Sequence, residues 1–529
     1  MLSPLASPLR LADVGARCTS AGSYQIRSRF ENANRRLSVG LAGWGREGED
    51  ESVVGGVERA APGAGCRRDA RMKKADERFF QKYFPPQEFA ARRQRLLDEV
   101  GPAADVLLRG RSETCGPRFL QSKVFFYFSG IEIPGALLLI SGPERKTTLY
   151  LAHRDPERHP EETGLGVEDA EEIKAATGVD EVCDRALLTE RLRTVRTLYV
   201  QDAEDELPCR TRFEAAAVAQ RRAADPWDGR PSDTQHFISL LKSRHSHIEI
   251  RGLTPIVSEM RRVKSAREIE MLRRAGYLAA LATTEAMRMT KPGLLERQLA
   301  AVASYIYLTH GAAGEGYPQI VAAGRNMQFG HYSRNDARLI EGDIVLMDSA
   351  PDYGYYTSDI GRIWPVNGTY APWQRELYGF ITAYHKTLLG LLKPGAMAED
   401  VVQEAAQIMA GVVRKTRFSK AIYRQAAERV LQSKHPLSHP VGLSVHDGSP
   451  YRHKPLEPGV VLSVDPMLSV PEEELYIRCE DTVLITADGI ENFTAAAPLE
   501  PEAIEAAMKE AGRFPLYDTA LAWDAGRRP

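Results

Sequence analysis

The sequence has little that would mark a membrane, secreted or nucleic-acid-binding protein. No stretch approaches about 18 consecutive apolar residues, so no membrane-spanning helix and no membrane partner are predicted. The six cysteines are scattered without a CxxC pair, which disfavours disulfides and favours a cytoplasmic location. The net charge of −2 excludes the basic field that attracts nucleic acid. The 529 residues, 43% of them hydrophobic, allow two or three domains with large cores.

Residues 1–71 have an unusual composition, with eleven arginines and no lysine. Apolar periodicity is weak there, so the segment is predicted to be a disordered extension. Two interpretations stay open, an organelle transit peptide or translated upstream DNA in front of a start at Met72. We favour the second, because the composition changes abruptly at Met72.

Two domains are predicted to follow, over residues 72–254 and 255–500, with a C-terminal tail over 501–529. The first alternates short apolar runs with helical stretches, which is typical of an α/β domain. Its predicted elements are a helix over 90–100 and strands over 104–108, 136–140, 147–152 and 197–200. The tail is predicted to contain one helix, over 501–511, and has no assigned role.

The second domain contains an internal repeat. A helix over 266–290 ends in Lys-Pro-Gly, and about 100 residues later a helix over 373–392 ends in Lys-Pro-Gly again. Each is followed by a second helix and then by a glycine-led strand, which ends in Asp348 in the first half and in Asp465 in the second. A duplicated helix-helix-strand unit is predicted, whose halves face each other across a pseudo-twofold axis.

Each repeat places a turn after its aspartate, which predicts two hairpins. Folding the first about Tyr353 puts Asp348 opposite Asp359, with Cβ atoms about 5 Å apart. The hairpin of the second half puts Asp465 opposite Glu480. Facing carboxylates repel each other, so a compensating cation is expected at each pair.

Three histidines, His435, His439 and His446, lie between the two hairpins. Imidazole together with several carboxylates is the ligand set of Mn, Co, Zn or Fe. Two divalent ions bridged by carboxylates lower the pKa of a shared water and polarise a carbonyl. The pattern therefore predicts metal-assisted hydrolysis.

In these residues, and in the phrase from Met260 to Ser265 that enters the second domain, the sequence resembles the aminopeptidase P and prolidase family of proline-specific dinuclear metallopeptidases. The resemblance covers roughly residues 85–500. It implies an α/β N-terminal creatinase-like domain followed by an α+β pita-bread catalytic domain with pseudo-twofold duplicated halves. It also implies five metal ligands, which here are Asp348, Asp359, His439, Asp465 and Glu480.

By the same resemblance, Asp348, Asp359 and Glu480 would hold one metal. Asp359, His439, Asp465 and Glu480 would hold the other, so that Asp359 and Glu480 bridge. The catalytic positions implied beside the metals are His331, His435, His446, Arg478 and Asp465, the last as the acceptor of the water's proton.

Three positions depart from the family pattern. The family has glutamate at the position of Asp465, a small residue at Pro436 and commonly a threonine at Gly361. Aspartate is one methylene shorter than glutamate, and an error near 1 Å can cost about a hundredfold in rate. A lost hydrogen bond to a metal ligand typically costs about 10- to 100-fold. Metal binding is therefore expected more firmly than fast turnover.

The expected activity is hydrolysis of the bond between an N-terminal residue and a penultimate proline. Two divalent ions are expected, Mn²⁺ first, with Co²⁺ or Zn²⁺ as alternatives. A proline dipeptidase with the same metals is the alternative enzyme, and a decayed pita-bread binding protein is the alternative of another class. The resemblance further implies a homodimer or homotetramer.

Overall fold

The computed structural model describes residues 80–112, 119–154, 164–204, 206, 212–448 and 450–514. The extension predicted for residues 1–71 lies outside the described residues, as does the end of the predicted tail. None of the helices among the described residues combines the length and the apolar composition that a bilayer span requires.

The N-terminal part is built on one six-stranded mixed sheet with the order β4-β3-β2-β1-β5-β6. Its strands are β1 (Ala104–Arg109), β2 (Leu137–Ser141), β3 (Lys146–Leu151), β4 (Glu181–Asp184), β5 (Thr197–Val200) and β6 (Glu249–Gly252). Its helices are α1 (Pro86–Val100), α2 (Lys123–Ser129), α3 (Ala170–Thr177), α4 (Leu188–Arg191), α5 (Arg212–Ala224) and α6 (Asp233–Arg244). Every residue of β2 is buried, as expected for a strand covered on both faces. The predicted α/β class and its four strands are confirmed.

The C-terminal part carries long amphipathic helices around antiparallel strands. Its helices are α7 (Thr254–Met260), α8 (Ala266–Met289), α9 (Glu296–Thr309), α10 (Pro372–Leu391), α11 (Ala398–Lys415), α12 (Ala421–Val430) and α13 (Pro501–Met508). Helix α8 begins at a capping box, in which Ser265 and Glu268 satisfy each other's backbone N–H groups. The predicted helices over 266–290, 373–392 and 501–511 are confirmed to within a few residues at each end.

Two corresponding sets of antiparallel strands form the halves. The first set is β8 (Ile320–Ala323), β9 (Ile344–Asp348) and β11 (Gly361–Pro365), and the second is β12 (Leu437–Pro440), β13 (Val461–Val464) and β16 (Asp481–Ile485). The remaining strands are β7 (Gly314–Glu315), β10 (Pro351–Asp352), β14 (Met467–Val470), β15 (Leu475–Arg478) and β17 (Ile490–Asn492). The duplicated pita-bread architecture expected from the sequence is confirmed.

One predicted hairpin register is wrong and the other is confirmed. Strand β9 pairs Asp348 with Gly361, so Asp348 does not lie opposite Asp359. The turn is centred on Gly354 and Tyr355, with φ values of 61° and 75°, which moves the centre one residue toward the C terminus. In the second half β14 pairs Met467 with Arg478 and β13 pairs Val464 with Asp481, which places Asp465 opposite Glu480 as predicted.

Candidate active site

The two hairpins meet at a glycine. The Gly361 N–H donates to the Glu480 carbonyl at 3.3 Å, and the Glu480 N–H donates back to the Gly361 carbonyl at 2.9 Å. A Cβ atom at position 361 would lie 3.1 Å from the Cβ of Glu480, which is too close for an unstrained contact. A side chain at position 361 would therefore require Glu480 to shift by a few tenths of an ångström.

Three side chains converge as a candidate metal centre. One ligand atom each from Asp359, His439 and Glu480 lies within 4.8 Å of the others. The Nε2 atom of His439 is 3.3 Å from the Asp359 carboxylate and 4.0 Å from that of Glu480. Its Nδ1 atom is 3.1 Å from the Pro440 carbonyl, which assigns the proton to Nδ1 and leaves Nε2 as a metal ligand.

Arg478 connects the remaining carboxylates of the predicted ligand set. Its guanidinium donates to Asp348 at 2.9 Å and to Glu480 at 2.5 Å. It also donates to both oxygens of Asp465, from Nε at 3.0 Å and from Nη2 at 2.6 Å. All five predicted metal ligands therefore lie in one cluster with this arginine, and the four carboxylates among them are buried.

A tyrosine that no sequence pattern singles out contacts two of these carboxylates. The hydroxyl of Tyr317 lies 2.7 Å from one oxygen of Asp348 and 2.7 Å from one oxygen of Asp359. It is buried, and no repeat or motif marks it in the sequence. Only the fold brings it to the ligands, which are more than thirty residues away along the chain.

The electrostatics of the cluster favour a bound cation. Burial raises the pKa of Asp359, and the neighbouring Asp348 raises it further. Burial also raises the pKa values of Glu480 and Asp465, against the opposing effect of Arg478. Four buried carboxylates face one guanidinium, so divalent ions would neutralise the excess negative charge. Burial and then the nearby His446 lower the pKa of His439, which keeps that imidazole neutral, as metal ligation requires. The residues present fit a divalent-metal site.

Metal binding is expected to stabilise the protein more at high pH than at low pH. The folded pKa values of Asp359 and Glu480 lie above their unfolded values near 4, so the metal-free native state holds protons that the unfolded chain releases. The contribution of these two groups to the free energy of unfolding of the metal-free protein therefore falls as the pH rises above about 4. It stops falling once the pH exceeds their raised folded-state pKa values. The gain in Tm on adding Mn²⁺, measured by calorimetry, should be larger near pH 8 than near pH 5. An equal gain at both pH values would contradict this interpretation.

The cluster forms the floor of a cavity of about 520 Å³. Four of the five predicted ligands line it, and Glu480 lies fully buried behind them, where the hydroxyl of Ser463 donates to its carboxylate. His446 and His331 also line the cavity, with ring centroids 6.0 Å apart, and the His446 ring is 4.2 Å from that of His439.

His435 is the one predicted site residue that the structure does not bring to the others. It is not among the residues that line the cavity, and its Nδ1 atom lies 2.5 Å from Nη2 of Arg452. Its catalytic role therefore stays a prediction from the resemblance alone.

The N-terminal part supplies a wall of the same cavity. Lys123, Glu206, Phe213 and Glu214 line it together with the metal-ligating side chains. Glu214 approaches Nδ1 of His331 to 4.0 Å. No local pattern in the sequence marks these side chains, because they become neighbours of the site only through the packing of the two parts.

Comparison with known proteins agrees with this architecture. Residues 270–487 match the model of metallopeptidase family M24, and residues 89–199 match that of the aminopeptidase P N-terminal domain. The chain is 33% identical to an Xaa-Pro aminopeptidase of Escherichia coli over 446 residues, which span 80% of this chain and 97% of that protein. The chain belongs to the aminopeptidase P family. An Xaa-Pro aminopeptidase of Haemophilus influenzae is 31% identical, with 80% and 97% of the two chains covered.

Solved structures give the same assignment. E. coli aminopeptidase P with the inhibitor Pro-Leu superposes with a TM-score of 0.65 at 28% identity, over 80% of this chain and 98% of that one. A zinc-substituted form of the same enzyme with product has a TM-score of 0.64 at 30% identity, with the same coverage. Membership of this metallopeptidase family implies that the chain binds divalent metal ions.

Removal of the Tyr317 hydroxyl is expected to weaken metal binding. Tyr317→Phe leaves Asp348 and Asp359 without their shared donor, while the ring that fills the site is kept. Such hydrogen bonds to metal ligands are worth about 10- to 100-fold in affinity, so the Kd for Mn²⁺ should rise by about tenfold or more. Titration with a competing chelator measures it. An unchanged Kd would show that the hydroxyl does not orient these ligands.

Proposed function

We propose that this chain is a metallo-aminopeptidase that releases the N-terminal residue in front of a penultimate proline. The observation that carries the proposal is the convergence of Asp359, His439 and Glu480, of which Asp359 and His439 line the cavity. The relatives named Xaa-Pro aminopeptidase, which the chain matches over nearly their whole length, supply the substrate class. Proline has no N–H and a fixed φ, so peptide bonds beside it call for a dedicated site.

The proposed cofactor is a pair of divalent ions, with Mn²⁺ as the native metal. Asp348, Asp359 and Glu480 would hold one ion. Asp359, His439, Asp465 and Glu480 would hold the other. When bound, the ions supply the activation of water and the polarisation of the scissile carbonyl. The donor set of oxygens with one imidazole nitrogen suits Mn²⁺, and Co²⁺ and Zn²⁺ are the alternatives to be tested.

The chain's own residues then position the reactants and move the proton. The Asp465 carboxylate accepts the proton of the attacking water and is held in one plane by its two hydrogen bonds from Arg478. His446 and His331, on the wall of the cavity, donate hydrogen bonds to the carbonyl oxygen and to the peptide around the proline.

The charges on the cavity wall favour peptides longer than a dipeptide. Among the described residues that line the cavity, Lys123 and Arg478 are the only lysine and arginine. Lys123 donates to the Leu443 carbonyl, and Arg478 is shared by three carboxylates. A dipeptide would place its C-terminal carboxylate close to the metal centre. Both Lys123 and Arg478 already have hydrogen-bond partners there, so neither is available to pair with that carboxylate. The aminopeptidase is therefore favoured over the dipeptidase.

Two further expectations stay predictions. The homodimer or homotetramer comes from the family resemblance, and sedimentation of the full chain tests it. The cytoplasmic location comes from the scattered cysteines, and fractionation of the source cells tests it.

A substrate panel tests the proposed function. The full chain, stripped of metal and reloaded with Mn²⁺, is offered Ala-Pro-Ala, Ala-Ala-Ala and Ala-Pro, with release of alanine as the readout. Release from Ala-Pro-Ala at a rate well above that from both other peptides is expected. Cleavage of Ala-Pro alone would move the assignment to a proline dipeptidase. Two bound metals without cleavage of any peptide would favour the decayed binding protein.

A further inference from the structure

The segment that carries His446 is held by side chains more than by regular structure. Residues 442–448 form neither helix nor strand. The Thr357 N–H donates to the Gly442 carbonyl at 3.1 Å, and the Asp447 N–H donates to the Pro440 carbonyl at 3.0 Å. A buried irregular backbone needs further partners for its polar groups, and the side chains that provide them determine its path.

The N-terminal part provides two of these partners. The Nζ atom of Lys123, at the start of α2, donates to the Leu443 carbonyl at 2.5 Å and to the Ser444 hydroxyl at 3.2 Å. The Ser444 hydroxyl donates in turn to the carboxylate of Glu206. Lys123, Glu206 and Ser444 are all buried, and all three line the cavity that contains the metal ligands.

The same segment is also held at its C-terminal end. Asp447 is paired with Arg261 at 2.9 Å and lies 3.6 Å from Lys264. Arg212, at the start of α5, donates to the Gly448 carbonyl at 3.1 Å. Charged groups from both parts of the chain therefore surround the segment on either side of His446.

Helix α2 contacts the first metal-ligand hairpin as well. The ring of Phe126, one turn after Lys123, stacks on Tyr355 with centroids 3.7 Å apart. Tyr355 lies in the turn between Asp348 and Asp359. One short helix of the N-terminal part therefore touches both the tip of this hairpin and the segment that carries His446.

We propose that Lys123 and Glu206 are positioning residues, through which the N-terminal part holds residues 442–448 and aims His446 into the cavity. The role given to His446 rests on the proposed function. Burying ionised side chains is costly. Apolar residues would stabilise a purely structural contact between the two parts at least as well. The hydrogen bonds of Lys123 are directional and end on the two residues that precede Val445 and His446, so they fix the distance of that ring from His439.

Hydrogen exchange tests the first half of this inference without catalysis. Lys123→Met is compared with Arg93→Met, which removes another buried cation of the N-terminal part. Arg93 donates to the carbonyls of Phe128, Thr177 and Gly178, and none of these hydrogen bonds reaches residues 442–448. Exchange of the amides of 442–448 should become at least about tenfold faster in Lys123→Met and stay unchanged in Arg93→Met. Equal protection in both variants would overturn the proposal. Ser444→Ala makes the same comparison if Lys123→Met does not fold.

A double-mutant cycle with His446→Ala tests the second half. Lys123→Met alone should lower kcat for Ala-Pro-Ala by about 10- to 100-fold, with the bound metal per chain unchanged. If Lys123 acts through His446, adding Lys123→Met to His446→Ala should lower kcat by no more than about twofold further. If the fold-loss in kcat of the double variant equals the product of the two single losses, the proposal is overturned. That result would indicate direct contact of Lys123 with the substrate. An inactive wild type would refute the proposed function, and the exchange result would still decide whether the segment is held.

Discussion

His439→Ala should reduce the cleavage of Ala-Pro-Ala by about a thousandfold or more. His439 is the one imidazole of the cluster, and its Nε2 atom faces both Asp359 and Glu480. Its loss removes a neutral nitrogen ligand from one ion, which would then be bound more weakly beside Asp359 and Glu480. Metal activation of water is worth several kcal/mol, and about 4 kcal/mol corresponds to a thousandfold in rate.

The matched control is His453→Ala, in the same part of the sequence. His453 is exposed, lies near Glu399 and does not line the cavity, so its variant should keep the wild-type rate within about twofold. Metal content of both variants is measured along with the rate. A His439→Ala protein that keeps two ions and full activity would show that the metal centre lies elsewhere.

Asp465→Glu should increase turnover, by up to about a hundredfold. Asp465 is the proposed proton acceptor, and it stands where the family has glutamate. Its two oxygens accept hydrogen bonds from Arg478 at 3.0 and 2.6 Å, and its side chain is one methylene shorter than the glutamate that the family resemblance implies here. The longer side chain would bring the basic oxygen nearer to the attacking water.

Asp348→Glu is the control for the added methylene. Asp348 accepts hydrogen bonds from both Tyr317 and Arg478, so lengthening it should displace these contacts and lower kcat. Steady-state kinetics of both variants at saturating Mn²⁺ measure the difference. A fall in kcat for Asp465→Glu similar to that for Asp348→Glu would mean that this chain is built around the shorter residue.

Sequence patterns predicted the parts of the site that depend on local periodicity. The Lys-Pro-Gly helix ends and the glycine-led strands located both halves, and the register that sets Asp465 against Glu480 was correct. These features follow from turn residues and alternation within a few residues, which the sequence displays directly.

The features of the site that sequence patterns did not predict depend on contacts between residues that are distant in sequence. The hairpin between Asp348 and Asp359 turns at Tyr355, a residue type that seldom adopts a positive φ. Stacking on Phe126 and a hydrogen bond from the Gln121 N–H hold it there, and both partners lie in the N-terminal part. Tyr317 reaches its carboxylates by the same kind of long-range packing, which no local pattern contains.

The central claim is that this chain activates water with two divalent ions held by the five predicted ligands. The most direct test titrates the metal-stripped full chain with Mn²⁺ while alanine release from Ala-Pro-Ala is followed. Activity that is absent without metal, rises with added Mn²⁺ and levels off when two ions are bound per chain is the predicted result. Activity that persists in the stripped protein, or a saturated protein that releases no alanine, would contradict it.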